Sequence, residues 1–331
     1  MGEAGFPEGA AFDEVHVWSV PMRTRFRGID VREGVLVRGP AGWAEFSPFW
    51  DYDAAESASW LRATREAAFE GLPAPVRDRV PVNVTVPAVG PERAHAVVVG
   101  SGGCRTAKVK VADPGQSEAD DLARLEAVRD AIGPDGKVRI DVNGLWDVDT
   151  AVDRLPRYDR AAGGLEYVEQ PCATVEELAA VRRKVHVPVA ADESIRRAED
   201  PLRVRALEAA DVAVLKVQPL GGVRACLRIA EQIGLPVVVS SALESSVGIA
   251  MGVALAAALP ELTHACGLAT VQLLTADLVD DPLLPVDGAL PVGPVVPSAE
   301  RLAAAAASPD VAARWAARLA EVAEMLEAAS P

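Results

Sequence analysis

An α/β fold is predicted from this sequence, a (β/α)8 barrel of the TIM type behind a small N-terminal α+β domain, and three observations point to it. From about Pro81 onward, short apolar runs alternate with helical stretches. The runs start about 20–30 residues apart, as βα units in a parallel sheet do. Eight such units close a barrel of about 250 residues. The residues before Pro81 have another texture, β-branched and aromatic runs cut by Gly and Pro, as in a small antiparallel sheet. A doubly wound sheet is the runner-up, but the G-x-G-x-x-G phosphate motif is absent.

The elements follow in order. Residues 15–21, 34–38 and 43–46 read as short strands. Residues 54–71 have helical spacing, with Ala58, Leu61, Thr64, Ala68 and Leu72 near one face. Pro73, Pro75 and Pro81 then interrupt the chain. Barrel strands are expected at 82–86, 107–111, 138–142, 165–168, 187–191, 212–217, 237–239 and, more weakly, 263–268. Helices are expected at 118–132, 149–158, 174–183, 201–208, 223–233 and 247–259. Residues 285–297 are Pro/Gly-rich and extended, and an Ala-rich helix covers roughly 299–329. The expected domains are therefore 1–80, a cap, and 81–284, the barrel, with the tail 285–331 packing back on the cap.

Composition narrows the function. The 331 residues carry a net charge of −15, which excludes nucleic acid and anionic membrane surfaces as natural partners. Four scattered cysteines without C-x-x-C fit a reducing compartment. Four histidines without an H-x-H or H-E-x-x-H pair give little support to an imidazole metal site. The acidic N-terminus does not read as a signal peptide. The longest apolar run, 247–259, is shorter than the ~20 residues of a membrane span. A soluble cytoplasmic enzyme for a small molecule is the expectation, compatible with a monomer. Of the 33 basic residues only five are lysines, namely 108, 110, 137, 184 and 216. Where Arg serves as the general surface cation, a Lys merits attention for chemistry that needs a tunable pKa.

Charged residues mark five consecutive strands. Lys108 and Lys110 stand at i and i+2, on one strand face. Asp141, Glu169 and Asp192 end the next three strands, and Lys216 ends the fifth. Barrel enzymes hold their active sites at these C-terminal ends. A single Asp there is more often a helix cap or turn residue, but the joint set is hard to explain by capping alone. Three converging carboxylates repel, and a divalent cation with oxygen ligands, Mg2+ or Mn2+, is their natural neutraliser. A carboxylate substrate held there can lose its α-proton, because the developing charge falls beside the cation. Lys110, its pKa lowered by the neighbouring Lys108 ammonium, is the expected base, with Lys216 on the other face of the substrate.

The segments Lys108-Val-Lys110, Asp141-Val-Asn143, Glu169-Gln-Pro171, Asp192-Glu-Ser194 and Lys216 followed by Gly221-Gly222 resemble the K-x-K branch of the enolase superfamily. The resemblance covers the whole barrel and implies a modified barrel under an N-terminal α+β capping domain. It implies Mg2+ on Asp141, Glu169 and Asp192, with Asn143 in support. Further cues are Arg25-Phe-Arg-Gly-Ile29, Gly42-Trp-Ala-Glu-Phe-Ser-Pro-Phe49, Arg139, and Ser240-Ser-Ala-Leu-Glu-Ser-Ser246. They look most like the dehydratases that convert 2-succinyl-6-hydroxy-2,4-cyclohexadiene-1-carboxylate to an aromatic product for menaquinone synthesis. The roles implied are α-proton removal and its return to the leaving hydroxyl by Lys110. Lys216 would make a cation–π contact with the ring, and Lys108 would hold the carboxylate or tune Lys110. Ser240, Ser241, Ser245, Ser246, Arg25, Arg27, Asn143 and Arg139 are the candidate substrate-side residues. For Ser245 and Ser246 plain N-capping competes, and for Arg25 and Arg27 a solvated hairpin does. Trp43, Phe46 and Phe49 are expected in the cap core. The same lysines and ligands also occur in N-succinylamino-acid racemases, dipeptide epimerases and muconate cycloisomerases. A Schiff-base lyase using Lys216 leaves the carboxylates unexplained, and a non-catalytic scaffold leaves the whole set so.

Overall fold

The computed structural model describes residues 12–196 and 202–328. Its first layer is an antiparallel sheet of β1 (Glu14–Phe26), β2 (Ile29–Gly39) and β3 (Gly42–Phe46). The β1–β2 turn is Arg27-Gly28, both in the left-handed region at φ 51° and 76°, which matches the twist of a two-residue hairpin. A helix at Ala54–Arg65 starts on a capping box between Asp53 and Glu56. It runs into a π-helical turn at Glu66–Glu70, so the helical pattern expected at 54–71 is two pieces.

The barrel follows. β4 (Arg79–Pro81) pairs antiparallel with β12 (Ala289–Pro291) outside it. β5 (Val84–Val86), β6 (Thr106–Lys110), β7 (Lys137–Asp141), β8 (Leu165–Glu169), β9 (Val189–Ala191), β10 (Val212–Leu215) and β11 (Val237–Val239) form one parallel sheet. The expected eighth strand is reduced to Cys266-Gly267. Cys266 bridges Val82, and Gly267 bridges Ser240. Four backbone bonds, including Cys266 N–H to Pro81 O at 2.8 Å and Gly267 N–H to Val239 O at 2.8 Å, join the two sheet edges there. Inside, Tyr167, Ala190, Val212, Val214 and Val238 form a small cluster apart from the main core, the inward residues that fill a narrow barrel.

The Ala-rich tail is two helices, Ala299–Ala304 and Pro309–Ala328. Between them Ala305 O accepts from Ser19 N–H at 2.9 Å, and Ala307 N–H donates to Val17 O at 3.1 Å. This pairing with β1 breaks the helix, and Pro309 restarts it at a position where its missing N–H is harmless. The second helix meets the cap: Trp315 stands edge-on to Phe46 at 6.1 Å. Buried Arg318 donates to Phe49 O at 2.8 Å and Tyr52 O at 2.6 Å. Among the described residues no helix is long and apolar enough to cross a membrane.

Candidate active site

Strand register brings the charged residues to one level. Lys110 pairs with Asp141 across β6–β7, and Asp141 with Glu169 across β7–β8. Alternation then places Lys108, Arg139 and Tyr167 one layer deeper. Asp192 follows β9 and Lys216 follows β10, each one step beyond its last paired residue.

The charges are tightly paired. Lys110 Nζ lies 2.5 Å from Asp141 Oδ2 and 2.6 Å from Asn143 Oδ1. Lys108 Nζ lies 2.7 Å from Glu169 Oε1 and 3.2 Å from Asp141 Oδ2. Lys216 Nζ lies 2.6 Å from Asp192 Oδ2. Burial works against the Lys108 charge, but Glu169 and Asp141 outweigh it and hold the ammonium well above the ordinary lysine range. The carboxylates, and not a neighbouring ammonium, thus dominate the charge state of Lys108. Burial likewise opposes ionisation of Asp141, yet Lys110 and Lys108 keep it far below the usual carboxylate range. Lys216 and Arg196 overcome burial to hold Asp192 at about 2. Glu169 is pushed up to about 7, by burial and then by the charge of Asp141, against Lys108.

A cavity of about 660 Å³ opens above this floor. Its barrel side includes Lys108, Lys110, Asp141, Asn143, Lys216, Ser240 and Ser241. Its cap side is the hairpin tip Thr24–Gly28 with Phe49 and Tyr52. Phe26 lies 5.4 Å from Lys110 Nζ. Arg27 stacks 3.9 Å over Phe49 and is gripped by both Asp51 oxygens at 3.0 and 3.1 Å. Arg25 stands at the rim, largely exposed, paired with Asp30.

Thus the lysines, Asp141, Asn143, Ser240, Ser241, Arg25 and Arg27 share one cavity, with Glu169 and Asp192 fully buried beneath it. Three candidates are not brought there. Arg139 is sealed in the barrel interior, donating to Glu166 Oε2 at 2.5 Å, Asn83 Oδ1 at 3.0 Å and Ala265 O at 2.7 Å. Strand alternation puts it two residues below Asp141, too deep for substrate. Ser245 caps the helix Ser246–Ala258 and Ser246 begins it, but buried carboxylates already occupy both hydroxyls. Ser245 Oγ donates to Glu45 Oε2 at 2.5 Å, and Ser246 Oγ donates to Asp277. Phe49 is buried in the core, as expected, and also lines the cavity.

Sequence reasoning also missed Tyr52, Thr270, Gln170 and Arg196. Arg196 donates to Asp192 Oδ1 at 3.0 Å and Tyr52 Oη at 2.6 Å, tying the cap to the floor. Its position four residues after Asp192 was the available signal. Gln170 Oε1 accepts from the Asp192 and Ser194 amides at 3.0 and 3.1 Å. Ser241 Oγ and Thr270 Oγ1 are 2.7 Å apart on the wall.

The donor set suits a hard divalent cation. Asp141, Glu169 and Asp192 offer only oxygen, and buried Glu169 Oε2 has no hydrogen-bond partner. The three carboxylates are not drawn together as a finished cage, since no such acidic, imidazole or thiol group of three occurs among the described residues. Ammonium groups stand between them instead.

Comparison with known proteins agrees with this geometry. Residues 92–297 match the enolase C-terminal domain-like family, and residues 17–68 match the enolase N-terminal domain-like family. The chain is 70% identical over 303 residues to the o-succinylbenzoate synthase of Thermobifida fusca, covering 92% of this chain and 94% of that protein. It is 58% identical to the o-succinylbenzoate synthase of Mycolicibacterium smegmatis, covering 92% of each chain. In fold it resembles the muconate lactonizing enzyme of Pseudomonas fluorescens, with TM-score 0.75 and 22% identity over 89% of this chain and 98% of that one. The L-Ala-D/L-Glu epimerase of Bacillus subtilis is similar too, with TM-score 0.72 and 22% identity over 86% of this chain and 96% of that one. Such folds typically serve divalent-metal enzymes acting on small molecules, and this chain belongs to the o-succinylbenzoate synthase family of the enolase superfamily.

Proposed function

We propose that the protein is an o-succinylbenzoate synthase. It dehydrates 2-succinyl-6-hydroxy-2,4-cyclohexadiene-1-carboxylate to o-succinylbenzoate for menaquinone synthesis. The observation that carries this reading is the pair Lys110 and Lys216 in one cavity, each held by a carboxylate on adjoining strands, beside 70% identity to a synthase of that name. A cytoplasmic setting is supported by four buried free cysteines.

Asp141, Glu169 and Asp192 would hold Mg2+, with Mn2+ as an alternative, and Asn143 would support them. When bound, the cation supplies positive charge beside the substrate carboxylate, which stabilises negative charge developing α to it. Lys110 Nζ takes the α-proton and returns it to the hydroxyl leaving from the same ring face. The C–H and C–O bonds break in a syn elimination, water departs, and the ring becomes aromatic. Lys216 faces the ring from the opposite side as a cation. Lys108, held protonated by Glu169 and Asp141, serves as a fixed positive charge and not as a base. Arg25 and Arg27 at the rim, with Ser240 and Ser241 on the wall, are the groups in reach of the succinyl end.

The test is a steady-state assay of dehydration with Mg2+, after EDTA treatment, and in parallel with N-succinylamino acids. Dehydration that EDTA abolishes and Mg2+ restores is the expected result. A racemisation rate well above the dehydration rate would overturn this reading in favour of an N-succinylamino-acid racemase. Activity that survives EDTA and is trapped by borohydride would favour a lyase acting through a Lys216 Schiff base.

A further inference from the structure

Behind the cavity, at the seam between cap and barrel, lies a buried polar cluster that the proposed reaction does not use. Arg32 of β2 is 2% exposed and does not line the cavity. Its guanidinium nonetheless reaches two of the walls. Nε donates to Leu243 O at 3.1 Å and Nη2 to Ala242 O at 3.3 Å. The same group lies 4.4 Å over the Phe49 ring, on which Arg27 also stacks at 3.9 Å. On the cap side Nη2 donates to Ser47 Oγ at 3.0 Å, and Nη1 donates to Glu33 O at 2.9 Å.

The wall that Arg32 holds is strained and needs holding. Leu243 sits at φ 65°, a region that a bulky residue occupies only when its surroundings compel it. Two buried glutamates complete the clamp. Glu244 Oε2 accepts from the Ala242 amide at 2.7 Å. Glu45 of β3 accepts from the Ser245 amide at 3.1 Å and from Ser47 Oγ at 2.6 Å. Both glutamates pack on Gly248, where a Cβ would come within 2.5 Å of Glu244 Cβ and 2.9 Å of Glu45 Cδ. Cap residues therefore bind both carbonyls of the Ala242-Leu243 turn and the amide two residues on, while Ala242 and Leu243 themselves face the cavity.

We propose that Arg32 is a positioning residue that sets the substrate-facing wall, the Ala242-Leu243 turn and the Phe49 ring, from the cap side. The inference rests on the dehydratase reading for what occupies the cavity. Only a planar fork can serve two carbonyls, a hydroxyl and a ring face together, so Lys is no substitute. The lysine and carboxylate floor lies on other strands, and its ion pairs are made without Arg32. Loss of Arg32 thus affects substrate binding more than the chemical step.

The test is Arg32→Lys, read by steady-state kinetics and by amide hydrogen exchange over residues 240–246. A rise in KM of about tenfold with kcat within twofold, and faster exchange in that segment, is the expected result. A fall in kcat at unchanged KM overturns the proposal, as does unchanged KM with unchanged exchange. If Arg32→Lys does not fold, Ser47→Ala removes one Arg32 contact more gently. It should raise KM about threefold with the same split, and an unchanged KM there overturns the proposal equally. If the unaltered protein does not dehydrate the diene, the functional reading falls. The exchange rates then decide the positioning role on their own, and unchanged rates overturn it.

Discussion

At the scale of single residues, the scarcity of lysine was the most informative sequence feature. Lys108, Lys110 and Lys216 meet in one cavity, whereas Lys137 pairs with Glu166 at 2.8 Å on a half-exposed site. Replacing Lys110 by Arg keeps the charge beside Asp141 and Asn143 but substitutes a guanidinium, which cannot serve as a base, for an amine, which can. Turnover should fall about 10²–10⁴-fold with the thermal midpoint little changed, as paired kinetics and melting would register. Lys216→Ala should also cripple turnover and, unlike Lys110→Arg, leave Asp192 without its 2.6 Å partner. Its divalent-cation affinity, measured by calorimetry, should therefore shift more than that of Lys110→Arg. These residues were legible because strand alternation and strand-end position are local properties. Arg196 and Tyr52 were not, because their bond joins segments 144 residues apart. Arg139 was misassigned because two residues along a strand is one full layer of depth inside a barrel.

At the scale of elements, the strands and helices carry much of their own instructions. The helices Glu118–Ile132 and Val223–Ile233 occupy the spans that periodicity predicts. Ser117 begins the first with a capping box and Gly222 opens the second. The elements that depart from expectation are those whose hydrogen bonds go to distant partners. The tail helix breaks where Ala305 and Ala307 pair with β1, and the eighth strand shrinks to two residues because two existing edges suffice to bind it. Local caps have local effects. Asp53→Ala removes the acceptor of the Glu56 amide at 2.8 Å and should cost about 1 kcal/mol. Chemical denaturation should show a lower midpoint with an unchanged slope, and kcat should hold because the cap lies outside the cavity.

At the scale of the whole molecule, cap and barrel are joined through buried charge. Glu45 is pushed up to about 7, by burial first and then by the charge of Glu244, against hydrogen bonds from Ser245 and Ser47 and the charge of Arg32. Folding therefore favours its protonated form over the unfolded chain, whose ordinary value is 4.5. The stability this contributes is full below about pH 4.5 and is lost as pH rises through about 7. Glu45→Gln, which cannot ionise, should remove that loss. Between pH 5 and pH 8 the variant should retain on the order of 3 kcal/mol more of its stability than the unaltered protein does. Parallel denaturation curves at the two pH values check it, and equal slopes with pH would refute it.

By itself the sequence determined the barrel rhythm, the order of charged strand ends, the acidic surface charge and the reaction class those ends support. Each is a matter of periodicity, composition or spacing, set by the covalent chain. Only the tertiary structure decided that ammonium groups stand between the carboxylates, that Ser245 and Ser246 are spent on Glu45 and Asp277, and that Arg32 backs two cavity walls. Those are pairings between residues far apart in the chain. A buried charge takes whichever partner the fold brings within reach, and no local pattern records that choice.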